Sequence, residues 1–147
     1  MARQAGQSVV TTNGVFDVLH VGHIRCLQAA RDLGDLLVVG VNSDARTRSL
    51  KGWPRPFVTE SERMEMLAAL ACVDYVTLFD QPTPGELLEA LRPDIHVKGG
   101  DYDVDSLPET AIVRRHGGKV IVAPFTQDRS TSSLVDRIVA ALKNLPS

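Results

Sequence analysis

Short apolar runs rich in branched residues alternate along the chain with longer segments whose apolar positions recur every three or four residues. SVVTTN, LLVVGVN, VDYVTLF, DIHVKG and KVIVAPF are of the first kind. Their near-continuous hydrophobicity predicts strands buried on both faces, as in a parallel sheet. The stretches between them predict helices, several with start signals. Thr59 with Glu62, Thr83 with Glu86 (Pro84 at the first helical position), and Ser106 with Glu109 all have capping-box spacing. Glycines mark the stops, Gly34 after the first helical stretch and Gly117 with Gly118 after the fourth. This alternation predicts an α/β fold: a doubly wound, mainly parallel five-stranded sheet with right-handed crossovers. No repeat, low-complexity tract or linker interrupts it, so residues 1–147 are expected to form a single domain.

Composition removes several function classes. Sixteen Lys plus Arg against eighteen Asp plus Glu leave a formal charge of -2, which gives neither a basic field for nucleic acid nor a polybasic membrane patch. Any anion site must then be local. Cys26 and Cys72 sit singly in apolar stretches, so neither a disulfide framework nor a Cys-x-x-Cys metal site is expected. The first residues, MARQAGQS, lack the apolar core of a signal peptide, and no run reaches the length of a membrane span. A cytoplasmic protein without nucleic-acid or membrane partners is the expectation.

In an open sheet of this kind, ligands bind beyond the carboxyl ends of the strands, where the strand order reverses. Four segments in that position carry chemistry: NGVFDVLHVGH, SDARTRSLKGWPRPF, GGDYDVD and FTQDRSTSS. The first holds two of the four histidines, His20 and His23, beside a glycine. Gly14 permits a tight turn, and Gly22 stands where the next helix begins, so unpaired amides and the positive end of the helix dipole face the same point. Histidines three apart lie on one side of such a turn and can both donate ring hydrogens to phosphate oxygens. The alternatives are a hydrogen-bonded structural histidine and a zinc site completed by Cys26. On a helix, however, Cys26 falls about 120° around from His20, and no further ligand cluster supports a metal. Asp17 reads as fixing its own turn through the local backbone.

NGVFDVLHVGH resembles the signature loop of the cytidylyltransferase-like nucleotidyltransferases, a G-x-F-D turn followed by H-x-G-H. The likeness continues in order through LGDLLVVGVNSD, LKGWPRP, ESERMEMLAAL, VDYV, PDIHVKGGDY, GGKVIV and STSSLV. Within that family KG..RP, VKGGDY and STSSLV are most similar to bacterial D-glycero-β-D-manno-heptose 1-phosphate adenylyltransferases. The resemblance implies that a sugar 1-phosphate attacks the α-phosphorus of ATP in line and pyrophosphate leaves. The attacking phosphate is already ionised, so no general base is needed; the protein must position two polyanions and neutralise growing charge.

The resemblance also implies roles for single residues. His20 and His23 would contact the triphosphate and act catalytically with Lys51, Val15 and Phe16 would supply backbone contacts, and Gly22 would open the phosphate-binding helix. Arg63 of the E-x-R helix would face the phosphates, with an ion pair to Glu60 or Glu62 as the local alternative. Gly100 and Asp101 would meet the ribose or base, and Ser130, Thr131 and Ser132 would seat the β- and γ-phosphates. Locally, Lys51 is one member of a basic loop cluster with Arg46, Arg48 and Arg55, which also reads as solvated surface. Arg129 stands where relatives commonly carry a small or apolar residue, and its role is open. Mg2+ held mainly by the triphosphate is the expected cofactor, ATP and a phosphorylated sugar the expected partners, and a homodimer is what the family suggests. Three functions follow in order: the heptose 1-phosphate reaction; a cytidylyltransferase or FAD-synthetase-type adenylyltransferase on another phosphorylated substrate; and a nucleotide-binding module without catalysis. In many bacteria this domain is fused to a sugar kinase; 147 residues leave no room for one, so the sugar phosphate is expected from a separate enzyme.

Overall fold

The five apolar runs pair side by side as β1 (Val9–Gly14), β2 (Leu36–Asn42), β3 (Tyr75–Phe79), β4 (Ile95–Gly99) and β5 (Lys119–Ala123). Every pairing is parallel, in the order β3-β2-β1-β4-β5. The computed structural model describes residues 5–123 and 130–144. The expected fold class holds: among the described residues six helices accompany the sheet, α1 (Val21–Arg31), α2 (Asp44–Lys51), α3 (Glu60–Ala68), α4 (Gly85–Leu91), α5 (Pro108–Arg115) and α6 (Thr131–Lys143). The chain winds outward from β1 to β3, then returns to place β4 on the other side of β1. Helices α1 and α3 pack on β1, β2 and β3, whereas α5 packs on β5 and against α4. The crevice predicted for such a sheet therefore lies at the carboxyl ends of β1 and β4.

Burial follows the apolar pattern. Val10, Leu37, Val39 and Val41 pack with Leu27 and Ala30 of α1 and Leu67 of α3 in one cluster. Leu88, Leu107, Val113 and Val120 form a smaller cluster. Removing each Leu or Val side chain from water contributes about 1.5–3 kcal/mol, enough to hold short helices that would not persist alone.

Register is set by a device that recurs along the chain. Asp35, Asp74 and Asp94 each stand immediately before a strand, and each accepts an amide near the start of the neighbouring one: Ser8 N at 2.8 Å, Leu37 N at 2.8 Å and Val9 N at 2.7 Å respectively. A one-residue slip would break all three bonds.

Helix starts depart from the sequence in two places. The Thr59–Glu62 capping box forms, with Thr59 N donating to Glu62 Oε2 at 3.1 Å. Thr83 and Glu86 do not form one, because α4 begins at Gly85 and Glu86 accepts instead from Gln81 Nε2 at 3.0 Å. Ser106 belongs to a 3-10 turn, Val104–Ser106; Pro108 opens α5 two residues later, and Glu109 turns inward to Lys98. Boxes not foreseen join His20 with His23 and Ser130 with Ser133. The basic segment read as a loop contains α2, capped by Ser43 Oγ accepting from Arg46 N at 3.0 Å and ended by Gly52 at φ +74°.

A histidine sits in the middle of the sheet. His96 is 1% exposed, and its Nδ1 lies 2.9 Å from Thr11 Oγ1 on the paired strand. Burial, with the nearby Lys98 charge, pushes its pKa down to about 4. The unfolded chain takes up that proton near pH 6.5, so between 6.5 and 4 the unfolded state binds more protons and stability rises with pH. Thermal unfolding should therefore show a melting temperature that falls as pH drops through this window. In His96→Asn, which keeps a partner for Thr11, the fall should be shallower; an unchanged slope would contradict the assignment.

Candidate active site

The loop joining β1 to α1 holds two non-glycine residues with positive φ, Phe16 at 54° and Val18 at 55°. Such backbone costs of order 1–3 kcal/mol and persists only where surroundings enforce it. Asp17, between them and 1% exposed, supplies the enforcement. Its carboxylate pairs with the Arg55 guanidinium and accepts the amides of Phe57 and Val58, each at 3.0 Å. Its carbonyl accepts from Thr131 Oγ1 at 2.6 Å. Burial by itself raises the Asp17 pKa, but the two amides and Arg55 outweigh it and hold the carboxyl below its usual range. Asp17 is structural, as expected, but its partners lie 38 to 41 residues downstream rather than in its own turn.

The histidines are the cap of α1. Gly22 N donates to His20 Nδ1 at 3.1 Å, and His20 N donates to His23 Nδ1 at 3.3 Å. The two rings stack with centroids 3.9 Å apart, and Phe16 meets His23 edge-on at 5.4 Å. A ring nitrogen that accepts an amide hydrogen carries no proton, so each ring in this arrangement bears its proton on Nε2. Burial first, then the His20 charge, lowers the His23 pKa to about 4. The fold thus holds a neutral donor at a helix N-terminus.

These groups border a cavity of about 510 Å³ at the carboxyl ends of β1 and β4. Of the residues expected at a ligand, Val15, Phe16, His20, Gly22, His23, Lys51, Ser130, Thr131 and Ser132 all line it. Two helix N-termini, those of α1 and α6, meet there. Ser130 Oγ caps α6 by accepting from Ser133 N at 3.1 Å. Anions are stabilised at such ends by the dipole and unpaired amides.

Three expected contacts are not brought to the wall. Arg63 is fully buried: Nη1 donates to Val15 O at 2.5 Å, Nε to Val58 O at 3.0 Å and Nη2 to Asp44 Oδ1 at 2.8 Å. It clamps the backbone of the loop, and its acidic partner is Asp44, neither Glu60 nor Glu62. Gly99 lines the cavity but Gly100 and Asp101 do not; Gly100, at φ +136°, donates its amide to Ala123 O at 3.0 Å, and Asp101 is exposed. The basic cluster also divides. Lys51 ends α2, Arg46 Nη2 bonds Pro82 O at 3.0 Å, and Arg55 is spent on Asp17. Arg129 lies outside the described residues.

Sequence reasoning missed Asn13 and Lys98 and named Arg55 only as one member of the basic cluster; all three are on the wall. Lys98 had a readable signal, a cation at the carboxyl end of an otherwise apolar strand. Asn13 Oδ1 is buried with no hydrogen-bond partner among the described residues. Among the described residues no group of three or more His, Cys, Asp or Glu side chains is placed to hold a metal ion.

The same segments are shared with known proteins. The family model described as Cytidylyltransferase-like matches residues 11–137. The bifunctional protein HldE of Syntrophotalea carbinolica is 53% identical over 137 residues, covering 93% of this chain and 28% of that protein. The HldE of Geobacter sulfurreducens is 51% identical, with 92% and 28% covered, so this chain spans little more than a quarter of these relatives. A D-beta-D-heptose 1-phosphate adenylyltransferase of Bordetella bronchiseptica is 53% identical over 131 residues, 88% of this chain and 81% of that protein. Among solved structures, a lipopolysaccharide core biosynthesis protein from Thermoplasma volcanium superposes with a TM-score of 0.69 at 30% identity, covering 82% of this chain and 98% of that one. Because the matched segment runs from the second half of β1 through the histidine cap and into α6, it takes in the whole cavity wall, and the chain belongs to the cytidylyltransferase-like family.

Proposed function

We propose that this chain transfers AMP from ATP to D-glycero-β-D-manno-heptose 1-phosphate, giving ADP-heptose and pyrophosphate. The observation that carries this reading is the histidine cap: a pair of rings locked with Nε2 as donor at the start of α1, bordering a cavity that a second helix start also faces. The likeness to the Bordetella protein supports the choice of sugar.

In this reading the β- and γ-phosphates lie against Ser130, Thr131 and Ser132, and the α-phosphate lies under His20 and His23. As the acceptor phosphate attacks, charge grows on the α-phosphoryl oxygens, and fixed Nε2–H donors stabilise that charge without reorganising. His23, whose pKa burial lowers to about 4, stays in one neutral form at the pH of the cell, which suits a displacement needing no base. Lys51, at the end of α2, adds a full positive charge toward the leaving pyrophosphate. Arg63 acts at one remove, by holding the carbonyl of Val15. The residues suit a magnesium ion that arrives on the nucleotide: the carboxylates of Asp17 and Glu109 are taken by Arg55 and Lys98. Held by the triphosphate, that ion would neutralise phosphate charge. The chain works in this reading as one domain, in the cytoplasm.

Pyrophosphate release measured with ATP, CTP and GTP against heptose 1-phosphate, glycerol 3-phosphate and FMN tests the reaction. Release should require ATP with the heptose; a preference for CTP with glycerol 3-phosphate would replace this reading. His23→Ala should lower turnover about a hundredfold. His20→Asn separates cap from catalyst, since asparagine caps a helix well: its melting temperature should stay near wild type while turnover falls as in His20→Ala. Lys51→Ala should lower turnover at least tenfold, with the ATP dissociation constant from calorimetry shifting far less. Lost ATP affinity at an unchanged maximal rate would make Lys51 a ground-state contact instead.

A further inference from the structure

Lys98 enters the cavity from the face of the sheet opposite α1. Thr11 and His96 meet across β1 and β4, so their side chains share one face. Side chains alternate along a strand, which places Lys98, two residues beyond His96, on that same face; there it meets Glu109 of α5. Val10, on the other face of β1, packs in the cluster that contains Leu27 of α1. The histidine cap and Lys98 therefore flank the crevice from opposite sides.

The Lys98 side chain is 23% exposed and borders the cavity, while its Nζ lies 2.8 Å from Oε1 of Glu109, whose side chain is 5% exposed. The second carboxylate oxygen, Oε2, is buried with no hydrogen-bond partner among the described residues. A buried carboxylate costs several kcal/mol unless a cation meets it, so Glu109 fixes the ammonium in place, and an ammonium has three hydrogens of which this bond uses one. Tyr102, its ring centroid 5.9 Å from Nζ, bounds the group on a further side.

In-line displacement requires the attacking oxygen to approach the α-phosphorus from the side opposite the leaving pyrophosphate. In the reading above, the leaving pyrophosphate lies against the start of α6 and Lys51. A second phosphate brought beside a triphosphate is repelled by it and needs a cation of its own on the far side. Resting on the reaction proposed above, we infer that Lys98 holds the phosphate of the acceptor sugar, and that Glu109 is a positioning residue that sets where Lys98 stands.

Initial-rate kinetics with both substrates, with calorimetry for ATP, tests this in Lys98→Met, Lys98→Arg and Glu109→Gln. Lys98→Met should raise KM for heptose 1-phosphate at least tenfold and leave the ATP dissociation constant within about twofold. Lys98→Arg should recover most of the acceptor affinity, and Glu109→Gln should raise the acceptor KM by less than Lys98→Met without touching ATP. If Lys98→Met and Glu109→Gln lower the melting temperature alone, or weaken ATP and acceptor equally, the pair is structural and the inference falls. Should wild type release no pyrophosphate with this acceptor, the reaction fails as a separate matter. Lys98 is then judged by titrating inorganic phosphate into protein saturated with a non-hydrolysable ATP analogue: weaker binding in Lys98→Met than in wild type supports the phosphate role, and equal binding overturns it.

Discussion

A carboxylate with 1% exposure holds this site together. Left alone, the charge of Asp17 would cost several kcal/mol to bury; met by Arg55 and by the amides of Phe57 and Val58, it joins the β1 loop to a segment 40 residues away. Its carbonyl draws in Thr131 and with it the start of α6. Arg63 repeats the tie from the other side by bonding both Val15 O and Val58 O. Between them the two residues hold Phe16 and Val18 in backbone conformations that neither would choose, and so fix where His20 begins the helix.

What is fixed is mostly electrostatic. The cavity gathers two helix N-termini, a pair of ring donors and the cations Lys51 and Lys98, in a chain whose formal charge is -2. Positive potential is therefore local, and it is assembled before any polyanion arrives, so little rearrangement is needed as charge develops. The neutrality of His23 belongs to the same design: burial against Phe16 and stacking on His20 suppress its protonation, and the ring offers a hydrogen bond rather than a charge.

The sheet was legible because buried parallel strands must be apolar on both faces, and all five runs became strands. The helix starts at the cavity were legible for a related reason: His20, Gly22 and Ser130 act through local spacing, within a turn of their own helix. The contacts that misled are long-range. Nothing near Arg63 shows that its donors would be used by Val15, Val58 and Asp44. Nothing near Glu109 shows that a lysine from β4 would claim it in place of a cap to Ser106. Asp35, Asp74 and Asp94 were visible only as residues before strands, and their bonds to the neighbouring strand appear once the strand order is known.

The account stands on the histidine cap presenting Nε2–H donors, and nitrogen-15 NMR of the imidazole rings in the nucleotide-free protein reads that state directly. At pH 6 the His23 spectrum should show unprotonated, hydrogen-bonded Nδ1 and protonated Nε2, and it should keep that form until the pH approaches 4. Protons on Nδ1, or a His23 that titrates near 6.5, would mean that the rings do not cap the helix as described, and the proposed origin of catalysis would be lost.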